Sequence, residues 1–161
     1  MEAVQPYPFK GFWIRLVAAL IDSIVLTIII LFLFGFSLVI FGAALGEGAG
    51  IGMAFLVLIL ASLATILYKP LMEASDYQGT FGKYALGMKV VDGRGQKISI
   101  TSSFIRTILF IIGAQVFLLC LGVIMVGLSD YKQGLHDALA KTYVVTSHWD
   151  GPVPLEDNFG A

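Results

Sequence analysis

The sequence predicts a mainly α-helical, polytopic membrane protein with three apolar membrane segments, of which the third is a crossing or a re-entrant hairpin, and a small cytoplasmic β-hairpin. Hydrophobic residues make up 58% of the 161 residues and charged residues 13%, about half the charged share of an ordinary soluble domain. Long stretches also carry no charge, as expected of helices that face lipid. The length leaves room for one compact unit and for no separate catalytic domain.

The first two apolar segments are each long enough to cross a bilayer. Residues 23–46 contain no charge, and the apolar character begins near Phe12. The second segment covers residues 51–68, and we expect Lys69 and Pro70 to close it because proline disrupts the helical hydrogen-bond ladder. Both stretches approach or exceed the roughly 20 residues that a membrane helix needs. The glycine-rich residues 42–50 between them predict a short turn and an antiparallel helix pair.

A third apolar stretch covers residues 108–128 and also reaches spanning length. Its glycines at positions 113, 122 and 127 fit close packing in one tilted helix, and they equally fit a re-entrant hairpin. Cys120, which lies in this stretch, is the only cysteine, so the chain can form no internal disulfide and no cysteine-based metal site.

The distribution of basic residues predicts the orientation. The connection 69–107 carries six of them, whereas residues 43–50 carry none. By the positive-inside rule, the N-terminus and the connection face the cytoplasm.

Short β-prone segments occur on both sides of the third apolar stretch. Residues 88–92 and 97–101 flank the Gly-Arg-Gly sequence at 93–95 and predict a β-hairpin. Residues 142–146 could add a strand only if the C-terminal tail lies on the same side as the connection, which requires the third segment to turn back. We favour this cytoplasmic tail, and three plain crossings with an external tail are the alternative.

Arg15 and Asp22 are the most informative charges, because ionised side chains in a membrane helix are costly and usually functional. Their spacing of seven places them on one helical face, roughly 10 Å apart. If the tail is cytoplasmic, Asp137 can approach Arg15 and neutralise it by a charge-assisted hydrogen bond. The depth of Asp22 depends on where the helix enters lipid, and a structural role competes with one in an ion pathway.

Four further side chains are secondary candidates: Glu73, Asp76, Lys83 and His136. A histidine beside an acid can titrate near neutral pH, but a hydrogen-bonded structural role is the preferred interpretation of His136. We find no nucleophile motif, no metal-binding set of side chains and no acid pair at catalytic spacing. We therefore expect no enzyme activity, no cofactor and no metal.

Three stretches resemble the RDD family of small bacterial membrane proteins, which is named for one arginine and two aspartates. They are residues 11–22 (GFWIRLVAALID), 80–92 (TFGKYALGMKVVD) and 133–145 (QGLHDALAKTYVV). The resemblance implies that Arg15, Asp22 and Asp137 are the three family charges, and Tyr84 departs from the basic residue often found at its position. It also implies one family domain over residues 1–150 and a location in the bacterial cytoplasmic membrane. Residues 151–161 contain prolines and acidic residues, which predicts a loose C-terminal tail.

Two functions fit this resemblance. In the first, the protein is an accessory or scaffold component that packs against a membrane-protein partner or its own copies within the lipid bilayer. The alternative is cation/proton antiport or related ion transport by a homo-oligomer, in which Asp22 alternates between protonated and cation-bound states. The net charge of −1 and the lack of a basic run argue against a nucleic-acid partner.

Overall fold

Two long antiparallel helices are the largest elements of the structure. The structure is a computed structural model that describes residues 8–116 and 131–153. Helix α1 comprises Phe12–Leu45 and helix α2 comprises Glu47–Ala74, and both are long and apolar enough to cross a membrane. Only Gly46 separates them, with φ of +92°, a conformation that favours glycine, and its N–H donates to Gly42 O at 3.0 Å. The expected glycine turn is therefore a single residue.

The two helices approach each other closely beside this turn. A Cβ atom at Gly50 would lie 2.5 Å from Gly42 Cα, so the two backbones touch there with no room for a side chain. Farther along, both helices expose most of their large apolar side chains. Ile28, Phe32 and Ile59 are each more than half exposed. An exposed apolar surface of this size fits an apolar environment and not bulk water.

The sequence predicts that helix α2 ends at Pro70, and this prediction is wrong. Pro70 lies inside the helix, which continues to Ala74. Proline removes one hydrogen bond of the ladder, at a cost of about 3 kcal/mol. The last turn persists because Glu73 is tied to two other helices by ion pairs, which are described below.

A small mixed platform lies beside one end of the helix pair. It contains helix α3 (Phe81–Ala85), strand β1 (Met88–Asp92), helix α4 (Ile100–Val116), helix α5 (Leu135–Leu139) and strand β2 (Thr142–Thr146). The strands are antiparallel, with Val90 opposite Val144. This pairing holds residues 142–146 against the connection, on the same side of the helix pair.

The predicted hairpin is wrong in its second strand. Residues 97–101 contribute only an isolated bridge from Lys97 to Val91, and helix α4 begins at Ile100. The reason is local, because Ser99 Oγ accepts a hydrogen bond from Ser102 N at 3.1 Å and so caps the helix. The third β-prone segment, residues 142–146, pairs with β1 instead.

The sheet is stabilised on both faces by buried side chains. One face packs Met88, Val90 and Val144 against Ala18 of α1. The other packs Val91 and Val145 against Val153, whose N–H also donates to Gly93 O at 3.2 Å. A two-stranded sheet is weak alone, so this packing is what keeps it folded.

The third apolar segment is described only in its first half. Helix α4 covers residues 100–116, whereas residues 117–130 lie outside the described part of the chain. Cys120 and the glycines at 122 and 127 fall within that gap. The choice between a crossing and a re-entrant hairpin therefore stays a prediction.

The close approach of α1 and α2 can be tested with two glycines of the same helix. Gly50→Ala should lower the thermal midpoint in detergent, because its new methyl group meets the backbone of Gly42. Gly52→Ala is the matched control, since no atom lies within 4 Å of its Cβ position and alanine is favoured over glycine in a helix by about 1 kcal/mol. Equal midpoints for the two variants would contradict the described contact.

Candidate functional site

Asp137 is the centre of a buried group of charges. It lies in the first turn of α5, is completely buried, and accepts a hydrogen bond from Gly134 N at 3.3 Å. Its Oδ2 atom accepts a hydrogen bond from Arg15 Nη1 at 2.5 Å, and its Oδ1 atom accepts one from Arg106 Nε at 2.7 Å. The predicted contact between Arg15 and Asp137 is therefore confirmed. Two guanidinium groups from separate helices neutralise this one carboxylate.

Arg106 connects Asp137 to a second buried acid. Its Nη1 atom donates to Glu73 Oε2 at 3.1 Å, and the residue is only 2% exposed. The planar guanidinium suits this role because it presents several donors in fixed directions. In the sequence, Arg106 is one of the six basic residues of the connection that predict the orientation, and no contact is predicted for it. The available signal was its spacing with Ser103 and Thr107, which places three polar side chains on one face of a helix whose other residues are mostly apolar.

Glu73 extends the connection to the next helix. Its Oε1 atom accepts a hydrogen bond from Lys83 Nζ at 2.5 Å, and its side chain is fully buried. Lys83, Glu73, Arg106, Asp137 and Arg15 thus form a line of alternating charges, which we call the charge chain. Its members come from α3, α2, α4, α5 and α1, in that order. Each helix of the described part of the chain contributes one member.

Arg15 also binds two backbone carbonyls. Its Nε atom donates to Lys10 O at 2.9 Å, and its Nη2 atom donates to Lys132 O at 2.6 Å. The guanidinium therefore holds the segment that enters α1 and the segment that enters α5, in addition to Asp137. A lysine could not replace these three contacts, because its single ammonium lacks the forked geometry.

Asp22 does not join the charge chain. Its Oδ1 atom accepts a hydrogen bond from Gly82 N at 2.7 Å, and the Tyr68 hydroxyl donates to the same atom at 3.4 Å. The Tyr68 oxygen in turn accepts a hydrogen bond from Phe81 N at 2.7 Å. Asp22 and Tyr68 thus satisfy the first free N–H groups of α3, which a helix must satisfy from outside. Arg15 and Asp22, which the sequence places on one helical face, therefore belong to two separate sites.

The position of α3 beside α1 requires glycine. A Cβ atom at Gly82 would collide with the carbonyl oxygen of Ala18. The lack of a side chain therefore lets the backbone of α3 approach α1 closely enough for Gly82 N to reach Asp22.

The remaining candidates, His136 and Asp76, are not members of the charge chain. His136 Nε2 is 3.1 Å from Asp137 Oδ1, and its ring meets the Phe110 ring edge to face at 5.1 Å between centroids. Phe110 also receives the Lys69 ammonium, 3.9 Å from its centroid, in a cation–π contact that the sequence did not predict. Asp76 pairs with Lys97 at 2.8 Å on the surface, away from the buried group, where such pairs contribute little.

Burial and charge together set the protonation of the site. Burial alone would raise the pKa of Asp137, but Arg106, His136 and Arg15 hold it well below its usual range. Burial lowers the pKa of His136, and the bond to Asp137 offsets this only in part. Burial also lowers the pKa of Lys83 to about 8, although Glu73 favours its charged form. These shifts favour the ionised form of Asp137 and the neutral form of His136.

This arrangement fits a structural role better than a catalytic one. Both carboxylates of the charge chain are paired with two cations each, which leaves neither available as a base. Within the described residues, no group of three or more His, Cys, Asp or Glu side chains could hold a metal ion.

The pKa of Asp137 predicts a loss of stability in acid. Its folded-state pKa lies below the unfolded value of about 3.9, so its contribution is present at neutral pH and is lost as pH falls through the folded pKa. The thermal midpoint in detergent should therefore drop between about pH 5 and about pH 3. Asp137→Asn should reduce this drop without abolishing it, because the pKa of the buried Glu73 is also lowered, to about 2, whereas Asp76→Asn should retain it. The same slope in wild type and Asp137→Asn would contradict this assignment.

A second prediction compares a buried with an exposed carboxylate. Glu73→Gln leaves Arg106 and Lys83 without their shared anion, and breaking a buried ion pair in this way costs about 3–5 kcal/mol. We expect a corresponding loss of unfolding free energy in a detergent-based titration. Asp76→Asn, which also replaces a carboxylate by an amide, should leave the unfolding free energy unchanged, because its partner Lys97 is exposed.

Comparison with known proteins identifies the family. The sequence model of the RDD family matches residues 9–141, which include Arg15, Asp22 and Asp137. The chain is 36% identical over 148 residues to the uncharacterized protein YxaI of Bacillus subtilis (strain 168), covering 84% of this chain and 95% of that protein. It is 28% identical over 144 residues to the uncharacterized protein YckC of the same organism, covering 86% and 85% respectively. No solved structure matches the chain. The two apolar helices are consistent with a membrane protein, and the chain belongs to the RDD family.

Proposed function

We propose that this protein is a non-catalytic accessory or scaffold component of a bacterial membrane complex. The observation that carries the proposal is the charge chain, in which the charged groups of five helices are bound to one another. Such a connection fixes the relative positions of the helices. A rigid unit of this kind can hold a partner or a second copy in a defined orientation.

The surfaces of the molecule support an attachment role. The long helices expose apolar side chains on several sides, of which Leu31, Phe36 and Val39 on α1 are examples. Membrane helices associate through side-chain packing, so such surfaces can contact lipid or another membrane protein. The platform, by contrast, exposes the basic side chains of Arg94, Lys97 and Lys141.

We further propose that α1 and α2 both cross the cytoplasmic membrane, with the N-terminus in the cytoplasm. The platform carries the exposed basic residues, whereas the turn at the opposite end of the helix pair carries Glu47 and no basic residue. This asymmetry supports a cytoplasmic platform under the positive-inside rule. The position of β2 beside β1 supports a cytoplasmic tail.

Cation/proton antiport has less support from the geometry. A transporting carboxylate must exchange partners during each cycle. Asp22, the expected candidate, accepts a hydrogen bond from the backbone of α3, and Asp137 is held by two arginines. Releasing either acid would therefore break the packing of the platform.

Purification from native membranes in a gentle detergent tests the accessory role. We expect a larger membrane protein to be recovered with this chain at a constant ratio. Glu73→Gln should reduce that recovery because the charge chain orients the helices, whereas Asp76→Asn should retain it.

Reconstitution in liposomes provides the opposing measurement. The purified protein should not dissipate a pH gradient when sodium, potassium or lithium is added. A homo-oligomer that dissipates the gradient, and loses this activity in Asp22→Asn, would overturn the accessory role in favour of antiport.

A further inference from the structure

The charge-free parts of the two long helices end at the same level. Residues 23–45 of α1 and 48–68 of α2 contain no charge, and each stretch is long enough to cross a hydrocarbon layer of about 30 Å at 1.5 Å per residue. Asp22 directly precedes the first stretch, and Tyr68 ends the second. The Tyr68 hydroxyl lies 3.4 Å from Asp22 Oδ1. With both helices crossing the membrane as proposed above, one boundary of the hydrocarbon layer corresponds to this pair of residues.

Helix α3 is held at that boundary. The N–H of Gly82 donates to Asp22, and the N–H of Phe81 donates to Tyr68, at 2.7 Å in each case. Gly82 also packs directly against Ala18 of α1. On its other side Lys83 binds Glu73 of α2. Movement of α3 along the long helices would therefore break two hydrogen bonds and an ion pair.

Three aromatic side chains in and beside α3 are more than half exposed. Tyr77, Phe81 and Tyr84 are 58%, 51% and 61% exposed, respectively. Phe81 and Tyr84 are three residues apart and share a face of α3, and the Tyr77 ring meets the Tyr84 ring edge to face at 5.7 Å. We call these three residues the aromatic patch. Exposing three rings to water is costly, whereas tyrosine is favoured at the membrane surface, where its hydroxyl meets water and its ring meets lipid.

We propose that α3 is an interfacial helix whose aromatic patch is inserted among the lipid headgroups at the level of Asp22. The bonds to Asp22 and Tyr68 place α3 directly beside both long helices, whose apolar side chains are exposed along their length. Asp22 then lies at the boundary of the hydrocarbon layer and not in its middle. At the boundary, backbone N–H groups can hold a carboxylate at modest cost. This inference is independent of the accessory role, because it concerns only the contact with lipid.

Tryptophan placed within the patch provides the test. In the full-length chain with Trp13→Phe and Trp149→Phe, Tyr84→Trp introduces a single tryptophan, and Arg94→Trp does so at an exposed turn as the aqueous control. Each protein is reconstituted in vesicles of phosphatidylcholine and phosphatidylglycerol, with or without bromine on the acyl chains. Thermal midpoints equal to that of the background show that the variants fold, and Tyr77→Trp provides a second position in the patch.

We expect bromine near the headgroup end of the acyl chain to quench Tyr84→Trp several-fold more than bromine near the chain terminus. Acrylamide in the aqueous phase should quench this variant several-fold less than Arg94→Trp. Equal quenching of the two variants by acrylamide would overturn the proposal, because the patch would then face water. Protection of both patch positions from bromine and from acrylamide would also overturn it, because a protein surface would then cover the patch.

Discussion

Asp137 is a buried carboxylate that stays ionised because Arg15 and Arg106 both bind it. An unpaired charge at this position would cost several kcal/mol in lost hydration. The two arginines lie in α1 and α4, which do not follow each other in the chain, so the compensation requires both helices to be in place at once. Glu73 and Lys83 extend the same requirement to α2 and α3. The platform can therefore exist only with all five helices close together.

The energetic value of this arrangement differs from its value for specificity. Replacing a buried ion pair with apolar side chains of similar size is often neutral or stabilising, whereas removing one partner is strongly destabilising. The charge chain therefore contributes less to net stability than to the choice of one packing over others. Apolar helices in lipid can slide or rotate against each other with little loss of contact. A line of alternating charges admits one alignment, because any shift leaves a buried charge without its partner.

The sequence predicts some of these features because their signals are local or paired. The two long helices follow from residues 23–46 and 51–68, since uninterrupted apolar stretches have few other solutions. The contact between Arg15 and Asp137 follows from a return of the tail to the same side. The structural role preferred for Asp22 agrees with its contacts, but Gly82 could not be named as its partner, because that partner is a backbone N–H and not a side chain. Residues 97–101 do not form the predicted second strand of a hairpin. Ser99 instead caps a helix that begins at Ile100, although this stretch contains β-prone residues.

The separation of Arg15 and Asp137 along the chain determines the order in which the molecule can assemble. The two residues are 122 positions apart, and the chain is synthesised from its N-terminus. Helices α1 and α2 can pair as soon as both exist, because Gly42 and Gly50 bring them together without any charge. Arg15 must then wait, solvated by water or headgroups, until nearly the whole chain has been made. A chain that stops before residue 137 leaves both arginines of the site without Asp137, so the charge chain cannot be completed until the C-terminal part has been made.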